Sequence, residues 1–156
     1  MNAAYTSALT LHSWVRWLLV LFAALACVRS GYALVRKRHY AQSDVRLARG
    51  FTGFLHLQLV LGILLYVVLS PVVRTALADP GAAMASAPLR FFVIEHQVAA
   101  LVAIGIGHLG LHRARRATQD RQRHRCVLWG ASGCLLMIVI AIPWPILPYG
   151  RGLFRF

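Results

Sequence analysis

Residues 9–35 read LTLHSWVRWLLVLFAALACVRSGYALV, an apolar run interrupted by few charged side chains. A helix needs about 20 apolar residues to cross the hydrocarbon core of a bilayer, so this run is long enough to span a membrane. Three more apolar runs follow, at residues 51–73, 91–111 and 127–142. We therefore predict an all-α integral membrane protein, a single domain of residues 1–156 with four transmembrane helices.

The composition excludes a soluble domain. The chain is 59% hydrophobic and 13% charged, which leaves too few polar side chains to cover its surface. Its net charge of +13 would suggest nucleic acid in a soluble protein, but the basic residues lie in short loops between the apolar runs. We expect the lipid bilayer as partner and no nucleic acid. Three cysteines lie in apolar runs without CxxC spacing, which predicts neither a disulfide framework nor a zinc site.

The distribution of Lys and Arg predicts the orientation of the helices. The basic residues of the loops after the first and third runs are Arg36, Lys37, Arg38, Arg46, Arg49, Arg113, Arg115, Arg116, Arg121, Arg123 and Arg125. We expect both loops in the cytoplasm and both termini in the periplasm, in a bacterial inner (cytoplasmic) membrane. Short loops make sequential helices antiparallel, which predicts an up-down-up-down bundle. The outer loop, residues 70–90, contains Pro80, Gly81 and Pro88, and we expect it to be poorly structured.

Ionisable side chains inside the apolar runs are candidates for function, because each costs roughly 2.5 to 3.5 kcal/mol on insertion scales. They are His12, Arg16, His56, Glu95, His96 and His108. Three further histidines, His39, His112 and His124, lie in or beside the basic loops, and we expect them at the membrane interface.

His12 and His96 fall at one depth in the outer leaflet, on the first and third helices. A haem needs two imidazoles on different helices, a slot floored by small residues and a cation near its propionates. The residues predicted to surround it are His12 and His96 as ligands, Ala103 and Gly107 as floor, and Arg16 or Arg90 as cation. The same two histidines could instead bind a metal ion without porphyrin.

His56 and His108 form a second predicted pair, at matching depths in the inner leaflet. His96 and His108 are twelve residues apart, which is about 18 Å along an ideal helix but about 120° around it. Two haems stacked on one helix face would favour a spacing nearer fourteen residues. The sequence therefore favours one haem b over two.

Other polar groups suggest further contacts. We predict an ion pair between Arg16 and Glu95, since a lone carboxylate in the membrane would tend to take up a proton. Gln58 and Tyr66 lie on one stripe of the second helix and could contact a quinone headgroup. A simpler interpretation stays open, in which histidines and small residues only pack the helices together. The small residues are Ala23, Ala26, Ser30, Ala99, Ala100, Ala103, Gly107, Gly110, Gly130 and Gly133.

Short motifs extend over nearly the whole chain: LHSWVRW at 11–17, HLQ at 56–58 with LG at 61–62, EH at 95–96, and IPWP at 142–145 with GR at 150–151. Together they resemble a family of small four-helix bacterial membrane proteins loosely labelled cytochrome b-like. More distantly, four helices with paired histidines resemble the cytochrome b561 class, whose members pass electrons between two haems b across a bilayer. The resemblance implies haem-based electron transfer.

The leading hypothesis is a b-type haem protein that takes electrons from a quinol or a periplasmic donor, with a respiratory or redox membrane protein as partner. The first alternative is a non-catalytic membrane subunit or scaffold, whose histidines join helices and whose basic loops bind anionic lipid or a partner. The second is a metal or proton carrier that uses His12, Glu95 and His96. Neither a P-loop nor a nucleotide fingerprint is encoded, which argues against phosphoryl transfer.

Overall fold

The computed structural model describes residues 3–154. These residues form seven α-helices and two short π-helical segments, and no strand occurs among them. The α-helices are α1 (Ala3–Val35), α2 (Gln42–Ile63), α3 (Pro71–Ala78), α4 (Pro80–Ala85), α5 (Ala87–Arg90), α6 (His96–Arg116) and α7 (Asp120–Ala141). The π-helical segments are Leu64–Leu69, which continues α2, and Phe91–Glu95, which leads into α6.

Four continuous spans in this part of the chain are long and apolar enough to cross a membrane: Ala3–Val35, Gln42–Leu69, Ala87–Arg116 and Asp120–Ala141. Each begins earlier than predicted, because hydropathy marks only the part suited to hydrocarbon and the hydrogen-bonded helix continues into polar turns. The second span ends before the predicted residue 73. Ser70 has an extended conformation, as expected before Pro71, and a separate helix begins there.

The outer loop is ordered into three short helices, so the expectation of a poorly structured segment was wrong. Pro71, Pro80 and Pro88 each stand in the first turn of a helix, where the missing N–H costs nothing. The side chains of Ser70 and Asp79 accept hydrogen bonds from backbone N–H groups of the first turns of α3 and α4. The prolines that suggested disorder therefore start helices.

The core lies between the four long spans. α1 packs against α2 and α7, and α6 packs extensively against α7 but only sparsely against α2. Fully buried side chains from all four spans meet there, among them Leu19, Phe51, Leu55, Ala103, Ala131 and Cys134. Large apolar side chains are exposed on the outside of the same spans, as expected where lipid covers them, including Val28, Val60, Leu101, Trp129 and Leu136.

The small residues bring helices into close contact. A Cβ atom on Gly110 of α6 would lie 2.5 Å from Gly130 Cα of α7, so the two backbones touch at this point. Ala23 and Ala26 of α1 are also fully buried in the core. These four small residues therefore serve helix packing, as the simpler of the two interpretations expects.

The loops after α1 and α6 lie together at one end of the bundle, which we call the basic end. His39 Nδ1 is 2.9 Å from Asp120 Oδ2, and the ring of Tyr40 packs against that of His124. The opposite end contains the start of α1, the end of α7 and the residues that follow it.

Candidate functional site

His12 of α1 and His96 of α6 meet near the end opposite the basic loops. Their ring centroids are 6.3 Å apart and their planes are inclined by 61°. His96 is the first residue of α6, directly after a π-helical segment, and His12 lies three turns into α1. The two predicted ligands are thus brought together from different helices.

Each ring has one nitrogen held by a protein group. His96 Nδ1 donates to the carbonyl oxygen of Ala141 at 2.8 Å, and because a carbonyl can only accept, Nε2 keeps a lone pair. The amide nitrogen of Gln58, which can only donate, is 3.0 Å from His12 Nε2, so Nε2 accepts and the proton of the neutral His12 ring lies on Nδ1. His12 Nδ1 is buried without a hydrogen-bond partner in residues 3–154. His96 therefore has the arrangement found in metal-ligating histidines, and His12 gains it when the Gln58 amide is turned over so that its Oε1 accepts from Nε2–H.

Two cavities border these rings. The larger has a volume of about 340 Å³ and the smaller about 90 Å³. Both are lined by His12, Arg16, Gly62, Tyr66, His96 and Gln97. The larger cavity lies along the sparse contact between α2 and α6 and reaches Ile63 and Leu101, which are exposed on the lipid-facing surface. It therefore opens sideways, toward the hydrocarbon of the membrane, and has a size typical of small-ligand pockets.

Both π-helical segments border the site. Tyr66 lies in the first, and its hydroxyl donates to the carbonyl oxygen of Val93 in the second at 3.3 Å. The extra residue in a π-turn displaces the side chains that follow, and such turns often occur at functional sites. Hydrophobic periodicity assumes a regular α-helix and therefore could not predict these two segments.

The segment after α7 folds back over this end of the bundle, which was not predicted. Leu153 O accepts hydrogen bonds from Arg16 Nη2 at 2.8 Å and from Trp17 Nε1 at 3.0 Å. The guanidinium of Arg151 lies 4.0 Å from the centroid of the Phe92 ring. Arg16 and Arg151 both line the smaller cavity and give it positive charge. The turn residues in IPWP and at Gly150 are the sequence signal that could have indicated this return.

The predicted ion pair between Arg16 and Glu95 is wrong. Glu95 Oε1 instead accepts from Arg90 Nε at 2.8 Å, and both side chains are about half exposed. Five residues separate them, a spacing that a regular α-helix would put on different faces but that the wide turns of Phe91–Glu95 bring into line. Arg90, the alternative cation for propionates, is consequently engaged outside both cavities.

The predicted slot floor is only partly present. Ala103 lines the larger cavity, whereas Gly107 does not. A Cβ on Gly107 would lie 3.1 Å from Leu55 Cδ2 and 3.5 Å from Cys134 Sγ, so this glycine faces closed core. Gly62 takes its place beside the histidines, since a Cβ there would lie 3.7 Å from His12 Cε1.

Gln58 and Tyr66, the predicted quinone contacts, both line the larger cavity. Gln58 is bonded to His12 through its amide nitrogen, while its Oε1 is buried without a partner in the described residues. Together with Gln97 they place uncharged polar groups on an otherwise apolar wall.

The second predicted pair, His56 and His108, forms a direct hydrogen bond of 2.7 Å between the two Nε2 atoms. The Ile104 carbonyl accepts the Nδ1 proton of His108, so His108 Nε2 accepts and His56 Nε2 donates. Rings in direct contact leave no slot for a porphyrin between them. This pair joins α2 to α6, as the helix-packing interpretation expects of a membrane histidine.

His124 was expected at the interface but is completely buried. It is 1% exposed, and both ring nitrogens lack partners in residues 3–154. Its ring centroid is 4.9 Å from that of Tyr40. His124 continues the buried face of α7 with Val127, Ala131 and Cys134, a helical spacing from which its burial could have been inferred.

A metal site of His12, Glu95 and His96 is not assembled, because Glu95 pairs with Arg90. Residues 3–154 contain no group of three or more His, Cys, Asp or Glu side chains that could hold a metal ion. What the site does present is two imidazoles, two cations and a cavity open to lipid.

Comparison with known proteins returned no match to a family model, to a curated protein or to a solved structure.

Proposed function

We propose that the chain is a b-type haem protein of an electron-transfer chain and that His12 and His96 hold a single haem. One observation carries the proposal: imidazoles from two helices meet beside a lipid-open cavity, and each has one nitrogen held by a protein group. When bound, haem supplies one-electron chemistry.

The residues present fit this group. Two imidazoles that bind one metal ion at about 2 Å from each nitrogen have ring centroids roughly 6 Å apart, close to the 6.3 Å between His12 and His96. The cavity beside them is walled by apolar side chains such as Leu19 and Leu55. Arg16 and Arg151 offer positive charge to the propionate carboxylates.

The protein groups around the rings act by orienting them and excluding water. The Ala141 carbonyl fixes the tautomer and rotation of His96, and Gln58 holds the ring of His12. The fold-back of Leu153 onto Arg16 and Trp17 covers the site on the side away from the bilayer centre. A dry, low-dielectric surrounding strengthens the attraction between the two guanidiniums and any carboxylate beside them.

The electron donor in this proposal is a quinol or a periplasmic redox protein. A quinol dissolved in the bilayer would reach the cavity between α2 and α6, past Ile63 and Leu101. Gln58 and Tyr66 would then be the polar groups nearest to its headgroup. These contacts support a lipophilic donor over a soluble one.

We further propose the up-down-up-down arrangement in a bacterial inner membrane, with both termini in the periplasm. The concentration of Lys and Arg at the basic end supports a cytoplasmic location for that end. Contacts such as Cys27 with Ser132 and Ser13 with Leu153 agree with α1 and α7 running in opposite directions. The histidine site then belongs to the outer leaflet.

Optical spectroscopy tests the proposal. Purified protein should show a Soret band and, when reduced, split α and β bands of low-spin haem, and His12→Ala and His96→Ala should each abolish them. His112→Ala is the matched control, because this exposed histidine lies outside the cavity. Protein that stays colourless after incubation with haem would support a non-catalytic subunit, and a bound transition metal without porphyrin would support a metal carrier.

A further inference from the structure

A pocket of about 490 Å³ lies at the basic end, distant from the histidine site. The loop after α1 contributes Tyr40 to it, α2 contributes Arg49, α6 contributes Arg115 and α7 contributes Arg123. Four segments that are separate in sequence thus converge on one concave surface, with Val45 and Leu111 among its apolar walls.

The pocket is strongly cationic. Three guanidiniums line it and no carboxylate does, and none of the three forms an ion pair within residues 3–154. The nearby carboxylate of Asp44 is buried and engaged by Arg29 and by the backbone N–H of Ala41. It is therefore not free to neutralise the pocket. The carboxylate of Asp120, which contacts His39, lies near Arg123 and offsets part of the charge of that guanidinium only.

Tyr40 adds a neutral hydrogen-bond donor. Burial, and secondarily the Asp44 carboxylate, raise the pKa of the Tyr40 phenol above its ordinary value. The hydroxyl therefore stays protonated at neutral pH and can donate to an anion. Arg123, whose Nε donates to the Ala117 carbonyl at 2.9 Å, is held in position near the Tyr40 ring.

The cationic pocket continues along the bundle surface. A neighbouring cavity of about 460 Å³ shares Leu111 and Arg115 with it and is otherwise lined by Thr52, His56, His108, Leu109 and His112. This second cavity follows the sparse contact between α2 and α6 toward the middle of the spans. It leaves room for a molecule that has an anionic head and an apolar tail.

We propose that this pocket binds the phosphate headgroup of an anionic phospholipid from the leaflet at the basic end, with the glycerol and upper acyl chains in the neighbouring cavity. Three guanidiniums match a phosphate diester, and basic pockets between helices at this level suit anionic headgroups. A choline headgroup would place a fourth cation among the three, so a zwitterionic lipid is disfavoured. The proposal depends on the membrane placement of the spans and not on the haem.

The lipid preference can be measured on the full-length protein in detergent. Phosphatidylglycerol, phosphatidylcholine with identical acyl chains, and inorganic phosphate are added separately, and thermal stability is followed together with native mass spectrometry. Phosphatidylglycerol should raise the melting temperature and persist as a bound adduct, whereas the other two should do neither. Equal stabilisation by phosphatidylcholine, or by inorganic phosphate alone, would overturn the proposal.

Two triple variants with equal loss of charge locate the site. Arg49→Gln, Arg115→Gln and Arg123→Gln together remove the cations of the pocket. The control changes Arg46, Arg116 and Arg121 to Gln, three exposed arginines of the same three helices, α2, α6 and α7, that lie outside the pocket.

Each pocket arginine should contribute roughly fivefold in affinity, so the pocket variant should bind phosphatidylglycerol on the order of 100-fold more weakly, and the control should bind as the unchanged protein does. Arg115→Gln alone, with an expected loss of roughly fivefold, serves if the triple variant does not fold. Equal losses in the pocket and control variants would refute a specific site.

Discussion

Replacing Gly110 by alanine should destabilise the bundle by pushing α6 away from α7. A Cβ at this position would lie 2.5 Å from Gly130 Cα, 2.8 Å from Cys126 O and 3.0 Å from Gly130 N. All three are backbone atoms, so no side-chain rotation can relieve the overlap. The helices themselves must separate at their most intimate contact.

The magnitude follows from two opposing effects. Overpacking of a close interior contact costs about 1–3 kcal/mol, whereas alanine gains up to about 1 kcal/mol over glycine in helix propensity. We expect a net loss of about 1–2 kcal/mol in the free energy of unfolding, or a fall of roughly 2–8 °C in melting temperature for a chain of this size.

Gly105→Ala on the same helix is the matched control, because a Cβ there would meet no atom within 4 Å. A thiol-reactive fluorophore in detergent is a suitable probe when the partly buried Cys27 and Cys126 are both replaced by alanine in every variant, since the remaining Cys134 is fully buried and reacts only after unfolding. Gly105→Ala should melt at or slightly above the temperature of the unchanged protein. If Gly110→Ala also melted there, the close contact of α6 and α7 would be contradicted.

Three further results are expected. Asp44→Ala should lower the free energy of unfolding by about 2 kcal/mol, because this buried carboxylate accepts hydrogen bonds from Arg29 and from the backbone N–H of Ala41. A loss no larger than that of a substitution at an exposed position would refute the stabilising role of Asp44. Glu95→Gln should cost less than about 1 kcal/mol in the same thermal assay, since its pair with Arg90 is half exposed, and a large loss would indicate a buried carboxylate. Alkaline phosphatase fused to the C-terminus should be active and fused in the loop between α6 and α7 inactive, and the reverse pattern would overturn the proposed orientation.

Hydropathy predicted the number and approximate position of the four spans because each helix must present about 20 apolar residues to the bilayer. It did not predict their ends, because a turn such as the start of α2 is polar yet helical. The helices at Pro71 and Pro80 were missed for a different reason. Proline both interrupts and begins helices, and composition alone does not distinguish the two roles.

The depth of residues in the membrane was the informative quantity for the site. It predicted the pairing of His12 with His96 and of His56 with His108. In the structure the first two rings lie 6.3 Å apart between centroids and the second two are directly hydrogen-bonded. Depth carries no information on rotation about the helix axis, so Gly107 was placed on the cavity although it faces the core. A π-helical turn also changes the direction of a side chain around the helix axis. The π-helical segment Phe91–Glu95 turns Glu95 toward Arg90, and for this reason the predicted partner Arg16 was wrong.

Some features depend on tertiary structure alone. The return of Leu153 onto α1 and the convergence of Arg49, Arg115 and Arg123 join segments that are distant in sequence. In the sequence these arginines are three among many basic residues of the loops. The sequence therefore predicted only their effect on the orientation of the helices and not their convergence on one pocket.

The number of haems per folded chain, measured as pyridine haemochrome on protein from a size-exclusion peak, tests the central claim most directly. We predict about one haem per chain in the unchanged protein and in the His56→Ala, His108→Ala double variant, and almost none in the His12→Ala, His96→Ala double variant. Haem retained after loss of His12 and His96, or lost with His56 and His108, would contradict a single haem held by the first pair.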